Sequence, residues 1–208
     1  SYAIVSHGDQ DHISGLSYLL ESDSGIQIQN LILPIRGKED PIYEKLGQQA
    51  RNAGAKVFWM KQGDQIRVDG LSLRCLYDGA GTDETERNNH SLLIQASYGD
   101  FGMLLTGDMS ADGELQWLEQ KDTLEKPVQI LKIAHHGSGY SSTEPFLKEV
   151  SPKLAVISCG EGNRYGHPHV ETLERLEKEG IPWVCTRDCG AVLVGIKKGN
   201  VQVRTYKK

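Results

Sequence analysis

Two histidines and two aspartates lie within six residues near the start of the chain, in the order His7-x-Asp9-x-Asp11-His12. Taken alone, this stretch is typical of a polar turn that caps a helix. An extended backbone, however, points residues 7 and 9 to the same side, whereas Asp11 and His12 can face a second position as a helix begins. Imidazole nitrogens and carboxylate oxygens are ligands for ions such as zinc and manganese. The spacing therefore predicts half of a metal site with two adjacent pockets.

Further candidate ligands follow in loops next to predicted strands, where a rigid sheet can direct them into one cavity. His90 precedes a strand in NNHSL, and Asp108 ends the strand of LLTGD. His135 and His136 end the strand of LKIAHHGS, and His167 lies on the loop after LAVIS. Asp108 could bridge two pockets, and a pair of adjacent ions can activate water and hold a phosphoryl group. The set therefore points to metal-assisted hydrolysis.

The elements that must position these residues follow an α/β order. Helices are predicted at Pro41–Ala53, Ala111–Gln120, Thr143–Glu149 and Val170–Glu179, and strands at Leu31–Leu33, Val57–Met60, Ile130–Ala134 and Leu154–Ser158. Two hairpins are predicted, turning at Asp69-Gly70 and at Gly99-Asp100. Hairpins in the first half and strand–helix alternation in the second half predict one domain over residues 1–208, with two sheets covered by helices.

Composition limits the partners of the chain. The 208 residues carry a formal net charge of -5, so no general attraction to nucleic acid is expected, and local cations or metal ions would have to bind a polyanion. No apolar run is long enough to span a bilayer. The chain begins inside a predicted strand, YAIV, so we expect it to be a fragment of a longer protein.

Four cysteines leave the redox state open. Cys75 and Cys159 lie in apolar, strand-like runs, and cysteine is among the most often buried residue types. We therefore expect buried thiols. A disulfide between Cys185 and Cys189 is the alternative.

The motifs together resemble the metallo-β-lactamase fold. The usual motif of that family is H-x-H-x-D-H, and Asp9 stands here at the place of its second histidine. That departure, together with LLTGD, LKIAHHGS, YSSTEPFL and ISCGEGNRYGHPH, is similar to the hydrolase domain of ComEC-type DNA-uptake proteins, over residues 3–194. The resemblance implies an αββα sandwich whose first strands are missing from this chain.

The resemblance also implies roles for the candidate residues. His7, Asp9 and His90 would bind one metal ion, Asp11, His12 and His135 a second, and Asp108 would bridge the two. One or two divalent ions are expected, manganese or zinc, and Asp9 shifts the preference towards manganese. His136 is the alternative to His135, because adjacent histidines point to different sides.

Catalytic and substrate-binding candidates complete the set. Asp11, His136 and His167 are the candidate catalytic residues, and His167 could protonate a leaving oxygen or bind a phosphate oxygen. Ser138 and Ser141 could donate hydrogen bonds to phosphate. Arg164 and Tyr165 could pair with phosphate and stack on bases, although their loop could equally be a structural turn.

The resemblance favours a DNase that cleaves single- or double-stranded DNA during DNA uptake. It implies attachment to a membrane channel domain of the same protein, at the extracytoplasmic face of the cell membrane. Two other functions stay open from the residues: a hydrolase of small phosphodiesters, and a metal-free module that binds DNA or a partner. The sequence does not predict the oligomeric state.

Overall fold

Buried side chains divide the interior of the computed structural model into three apolar layers, separated by two sheets. The structure describes residues 1–22, 25–83, 85–120, 123–197 and 199–207. Its strands are β1 (Tyr2–Ile4), β2 (Asn30–Pro34), β3 (Lys56–Met60), β4 (Gln65–Val68), β5 (Leu71–Tyr77), β6 (Leu93–Tyr98), β7 (Phe101–Leu105), β8 (Ile130–Lys132), β9 (Leu154–Ile157), β10 (Trp183–Cys185), β11 (Val192–Lys197) and β12 (Asn200–Thr205). Its helices are α1 (Gln10–Glu21), α2 (Pro41–Asn52), α3 (Ala111–Glu119), α4 (Glu144–Val150), α5 (Val170–Lys178) and α6 (Thr186–Cys189).

The two main sheets differ in strand direction. The small sheet is parallel and has the order β1-β2-β3. The large sheet has seven strands in the order β10-β9-β8-β7-β6-β5-β4. Its strands β7 to β10 are parallel, and β4 to β7 are joined as antiparallel neighbours. Strands β11 and β12 form a separate antiparallel pair.

Alternation along the strands assigns side chains to the layers, because successive residues of a strand face opposite sides of the sheet. Leu31 and Leu33 pack with residues of α1 and α2 on one face of the small sheet. Ile32 points the other way and packs with Ile94 of β6 between the two sheets. Leu93 lies in the third layer, under α3 to α5, where Trp117 is also buried. This order of helix, sheet, sheet and helix confirms the predicted αββα sandwich.

The predicted elements are confirmed with small shifts at their ends. Helix α1 starts at Gln10, so Asp11 and His12 lie in its first turn, as expected. The β4–β5 turn has positive φ at Asp69 and Gly70, 49° and 83°, which is the conformation of a tight two-residue hairpin. The β6–β7 turn lies at Gly99-Asp100, between the paired residues Tyr98 and Phe101.

Two further predictions concerned a disulfide and a membrane-spanning segment. No disulfide joins the four cysteines, which all lie in the described ranges, so the Cys185–Cys189 bond is not formed. Cys75 and Cys185 are buried, whereas Cys159 and Cys189 are partly exposed. Among the described residues, every helix is too short or too polar to cross a bilayer.

Candidate metal centre

The candidate ligands meet because three strands end at the same place. Residues 6–9 follow β1, Asp108 follows β7 and His136 follows β8, and β7 and β8 are parallel neighbours. Loops after the carboxyl ends of parallel strands are the usual position of ligands in open α/β sheets. Gly107 permits the approach, since its φ is 54° and a Cβ there would lie 2.9 Å from the Cβ of Ser6.

Four side chains form what we call the four-donor group: Asp11, His12, Asp108 and His136. Each offers one ligand atom, and these atoms all lie within 4.8 Å of one another. The Nε2 atom of His136 is 3.1 Å from Asp11 Oδ2, 3.2 Å from Asp108 Oδ2 and 3.3 Å from His12 Nε2. Donors around a tetrahedral ion with bonds of about 2.0–2.2 Å lie roughly 3.3–3.6 Å apart. The spacing of the group therefore fits one divalent ion.

Hydrogen bonds hold two of the imidazoles in the orientation that a ligand needs. The Nδ1 atom of His136 donates to the carbonyl of Ser158 at 2.7 Å, so Nε2, which faces the carboxylates, is the nitrogen left to bind an ion. The Ser6 hydroxyl oxygen lies 3.2 Å from Nδ1 of both His12 and His7. A hydroxyl oxygen has two lone pairs and can accept both N–H groups. Ser6 therefore supports two candidate ligands at once.

A second, less complete set, the His7 pocket, consists of His7, Asp9 and Asp108. The Nε2 atom of His7 is 3.9 Å from Asp9 Oδ2 and 3.9 Å from Asp108 Oδ2. It is buried and has no hydrogen-bond partner among the described residues. Asp9 precedes α1 at the capping position, but its side chain makes no capping bond and stays available. A buried polar atom without a partner is costly, and a cation would satisfy it.

The charges of the site are strongly coupled. Burial, reinforced by the neighbouring His12, lowers the pKa of His7 to about 3, so this imidazole is neutral at neutral pH. Burial opposes ionisation of Asp108, but hydrogen bonds from His12 and His136 hold the pKa of that carboxyl far below its usual range. The bond to Asp108 correspondingly raises the pKa of His136.

Lys132 supplies a positive charge beside Asp108. The sequence indicated only that this residue lies inside a predicted strand. Its Nζ atom lies 3.7 Å from Asp108 Oδ1 and donates to the carbonyls of Gly107, at 2.9 Å, and Ile133, at 3.2 Å. Burial lowers the pKa of Lys132, and the carboxylate of Asp108 opposes that shift. The ammonium group thus ties the loop before Asp108 to β8 while facing the carboxylate.

The structure places His90 and His135 outside the four-donor group. His90 is buried, with its ring centroid 6.1 Å from that of Tyr43. His135 lines the cleft beside the group, and its ring centroid is 5.7 Å from that of His167. Burial lowers the pKa of His135. The ligand roles that the resemblance implied for these two histidines stay predictions, and the geometry favours His136 over His135.

The two adjacent histidines have an uncommon backbone. His135 has φ 47° and ψ 47°, and His136 has φ 56° and ψ 17°. Such left-handed values cost residues other than glycine about 1–3 kcal/mol each and persist where surrounding contacts hold them. Here the His135 amide donates to the Gly107 carbonyl at 3.2 Å. The turn sets the direction of the two rings, which simple strand alternation could not indicate.

A cleft of about 430 Å³ opens over the four-donor group, lined also by residues of the loop after β9. In that loop His167 is 7% exposed and stacks against His136, with ring centroids 6.2 Å apart and planes at 18°. Tyr165 stacks on His167, with ring centroids 5.7 Å apart and planes at 20°. The Arg164 guanidinium lies 5.2 Å from the Tyr165 ring centroid. The three predicted loop residues thus extend from the four-donor group towards solvent.

Ser138 and Ser141 hold the next loop together. Both are buried, and neither lines the cleft. The Ser138 hydroxyl accepts from the amide of Tyr140 at 3.3 Å, and the Ser141 hydroxyl donates to the Met109 carbonyl at 2.8 Å. Their predicted contact with phosphate stays a prediction, because both hydroxyls already have partners inside the protein.

A buried carboxylate supports the same loop from the other side. Glu114 of α3 accepts hydrogen bonds from the amides of Ser142 and Thr143 and from the Thr143 hydroxyl. Burial outweighs these bonds and raises the pKa of Glu114. The Arg175 guanidinium donates to the Gly139 and Ser141 carbonyls, at 3.0 Å and 2.8 Å. Glu114 and Arg175 lie on helices distant from this loop in sequence, so no local motif indicated these contacts.

An αββα sandwich with histidine and aspartate donors at its strand ends defines a class of metal-dependent hydrolase folds. The chain belongs to the metallo-β-lactamase superfamily, whose family model matches residues 1–161. That match contains both donor sets, whereas Arg164, Tyr165 and His167 lie beyond it. Divalent metal binding is typical of this fold, and the four-donor group is the candidate site here.

Two curated relatives give a more specific comparison than the family model. The chain is 33% identical to ComE operon protein 3 of Bacillus subtilis (strain 168) over 189 residues, which cover 91% of this chain and 24% of that protein. It is 36% identical to competence protein ComA of Neisseria gonorrhoeae over 207 residues, 98% of this chain and 27% of that protein. The chain thus spans about a quarter of the length of these curated relatives.

A solved structure agrees on the fold. The metallo-β-lactamase fold protein YhfI of Bacillus subtilis matches with a TM-score of 0.56 and 12% sequence identity, covering 98% of this chain and 77% of that chain. At this identity the likeness shows a shared fold and no shared substrate. Together with the family match, it confirms the predicted metallo-β-lactamase fold.

Proposed function

We propose that this chain is a metal-dependent nuclease domain that hydrolyses phosphodiester bonds of DNA during DNA uptake. The observation that carries the proposal is the convergence of the four-donor group, whose ligand atoms all lie within 4.8 Å of one another at the floor of an open cleft. Such a group is suited to one divalent ion, and the His7 pocket beside it offers a second, less complete position.

The charge of the cleft supports a role for metal in substrate binding. Three carboxylates, those of Asp9, Asp11 and Asp108, line the cleft, and Lys132 is the cation beside Asp108. A phosphodiester anion would be repelled from this floor at short range. A resident divalent ion would offset that negative charge and would supply Lewis-acid polarisation together with a more acidic bound water.

The residues of the chain would then share the remaining work. Asp108 would belong to both the four-donor group and the His7 pocket. Its histidine and lysine neighbours would keep it ionised. His167, buried against His136 and lining the cleft, would donate its N–H to a leaving oxygen. Arg164 and Tyr165, at the outer end of the stack, would contact a phosphate and a base of the strand.

The setting of DNA uptake comes from the relatives. One of them is named a competence protein, and the chain covers about a quarter of its length. We therefore propose that this domain acts within a longer protein, attached to a membrane channel domain and facing the extracytoplasmic side. Single- and double-stranded DNA are both substrates to test.

The test is hydrolysis by the purified chain after removal and defined return of metal. Labelled single-stranded DNA, double-stranded DNA and bis(p-nitrophenyl) phosphate would each be incubated with Mn²⁺, Zn²⁺ or Mg²⁺. We expect metal-dependent DNA cleavage, and we expect Asp108→Ala to lower it by roughly 100-fold or more, since even outer-shell losses cost about 10–100-fold. Asp100→Ala is the matched control, because Asp100 is exposed at the opposite end of β7.

Two outcomes would replace the proposal. Hydrolysis of the small diester without DNA cleavage would favour a small-molecule phosphodiesterase of the same fold. DNA binding without bound metal and without cleavage would favour a binding module. Equal activity of the wild type and Asp108→Ala would remove the four-donor group from the reaction.

A further inference from the structure

Two cysteines that are distant in sequence meet behind the cleft loop. The Sγ atoms of Cys159 and Cys185 are 3.3 Å apart, although 26 residues separate them along the chain. Cys185 ends β10, and Cys159 follows β9, its parallel neighbour in the large sheet. A disulfide has an S–S length near 2.05 Å, so the two sulfur atoms would need to approach by only ~1.3 Å.

The other two cysteines face elsewhere. The Cys75 sulfur donates to the Tyr77 carbonyl at 3.3 Å, in a buried position of β5. The Cys189 sulfur lies 3.8 Å from the Gly190 carbonyl, next to it in sequence. The sequence alternative of a Cys185–Cys189 bond therefore has a competitor that the fold, and not the spacing, brings together.

The backbone around Cys159 is already held at this junction. The Thr186 hydroxyl accepts from the Cys159 amide at 3.0 Å and donates to the Cys159 carbonyl at 2.9 Å. Thr186 directly follows Cys185, so both cysteines belong to one small joint between β9 and β10. The preceding carbonyl, that of Ser158, accepts from Nδ1 of His136. The joint therefore lies one residue from a contact that orients a candidate metal ligand.

We propose that Cys159 and Cys185 form a disulfide under oxidising conditions and that this bond fixes the base of the loop carrying Arg164, Tyr165 and His167. The co-reactant is a small-molecule disulfide. One protein thiolate attacks it and releases the first small thiol, and the second protein thiolate then displaces the other. The Sγ–Sγ bond forms, the reagent's S–S bond breaks, two cysteines are oxidised, and their two protons end on two small-molecule thiols.

The environment of Cys159 determines how fast the disulfide forms, not which cysteine it pairs with. Burial, together with the contact to Cys185, raises the pKa of the Cys159 thiol to about 12. The thiolate is the attacking species in exchange, so the reaction should be slow at neutral pH and should accelerate as the pH rises. Cys159 is only partly buried, which leaves a route for the reagent.

The experiment is oxidation of the folded chain with oxidised glutathione at pH 8.5, followed by alkylation, digestion and mass spectrometry. We expect a loss of two hydrogens per chain and one cross-linked peptide pair containing Cys159 and Cys185. The bond closes a long loop, so the oxidised protein should melt about 5–10 °C higher than the reduced protein. Cys189→Ser should behave as the wild type, and Cys159→Ser should show neither the link nor the shift.

Three results would overturn the proposal. One is the absence of the Cys159–Cys185 link after complete exposure to the reagent. A second is a Cys185–Cys189 link in its place. The third is a link in the wild type that leaves the melting temperature unchanged, which would remove the role in fixing the loop. Cys159→Ala repeats the serine control with an apolar side chain, in case the serine disturbs β9.

Discussion

The four-donor group and the His7 pocket share Asp108 but differ in how completely they are built. In the four-donor group every ligand atom has neighbours at 3.1–3.6 Å, and the Nδ1 atoms of both histidines contact the protein. In the His7 pocket the Nε2 atom of His7 lies 3.9 Å from the nearest oxygen of each carboxylate. We therefore expect an order of affinity, in which the four-donor group would bind the tighter ion and the His7 pocket a weaker one.

The same difference is visible in how the chain supplies the ligands. Asp11 and His12 come from the first turn of α1, and Asp108 and His136 come from the segments after two parallel strands of the large sheet. This group therefore bridges the two sheets of the sandwich. The His7 pocket takes two of its three members from the single segment after β1, so its geometry depends on a short stretch of backbone.

Substituting each of the two adjacent histidines in turn is the strongest test of this comparison. His136→Asn should lower the affinity for the tighter ion by roughly 100-fold or more, above the 10–100-fold typical of outer-shell losses. His135→Asn is the matched variant and should change it by less than about threefold. Asparagine suits both positions because it tolerates the left-handed backbone that each histidine adopts.

Isothermal titration of the metal-free chain with Mn²⁺ and with Zn²⁺ gives the affinities directly. The reverse ranking, with His135→Asn the more damaging change, would restore the ligand assignment implied by family resemblance. Equal losses would mean that both imidazoles contact the ion.

The ambiguity between these two histidines shows what the sequence could and could not predict. The sandwich was predictable, because the hairpin turns in the first half, the strand–helix alternation in the second half and the family motifs all indicated it. The segment from His7 to His12 could be singled out as a candidate too, since its donor residues are local in sequence. The choice between His135 and His136 was not, because a left-handed turn and not strand alternation directs their rings. The role of Lys132 could not be predicted for a related reason: it depends on Asp108, which follows the neighbouring strand.

The weaker ion should respond to a different substitution. His7→Ala should remove the second equivalent of metal, lowering its affinity by about 10-fold or more, and should leave the tighter ion within about threefold. The reason is that His7 contributes its unpartnered Nε2 atom to the His7 pocket alone. Metal analysis of the dialysed protein at graded ion concentrations measures both equivalents.

The variant His90→Ala tests whether His90 also belongs to the His7 pocket. A loss equal to that of His7→Ala would add His90 to the pocket, as family resemblance implies. An unchanged second equivalent would leave the pocket to His7, Asp9 and Asp108. Loss of both equivalents in His7→Ala would mean that the two positions are one site.

The smallest expected effect belongs to Ser6, which joins the two donor sets without contacting an ion. Its hydroxyl lies 3.2 Å from Nδ1 of both His7 and His12, so Ser6→Ala removes one support from each set. We expect both ions to weaken by about 10-fold, within the range of outer-shell partners. Ser14→Ala is the control, because Ser14 lines the same cleft on an exposed turn of α1. A loss confined to the weaker ion would show that His12 keeps its orientation without Ser6, and that the two donor sets are supported separately. A loss in both would mean that one hydroxyl couples them, so that filling the first position prepares the second.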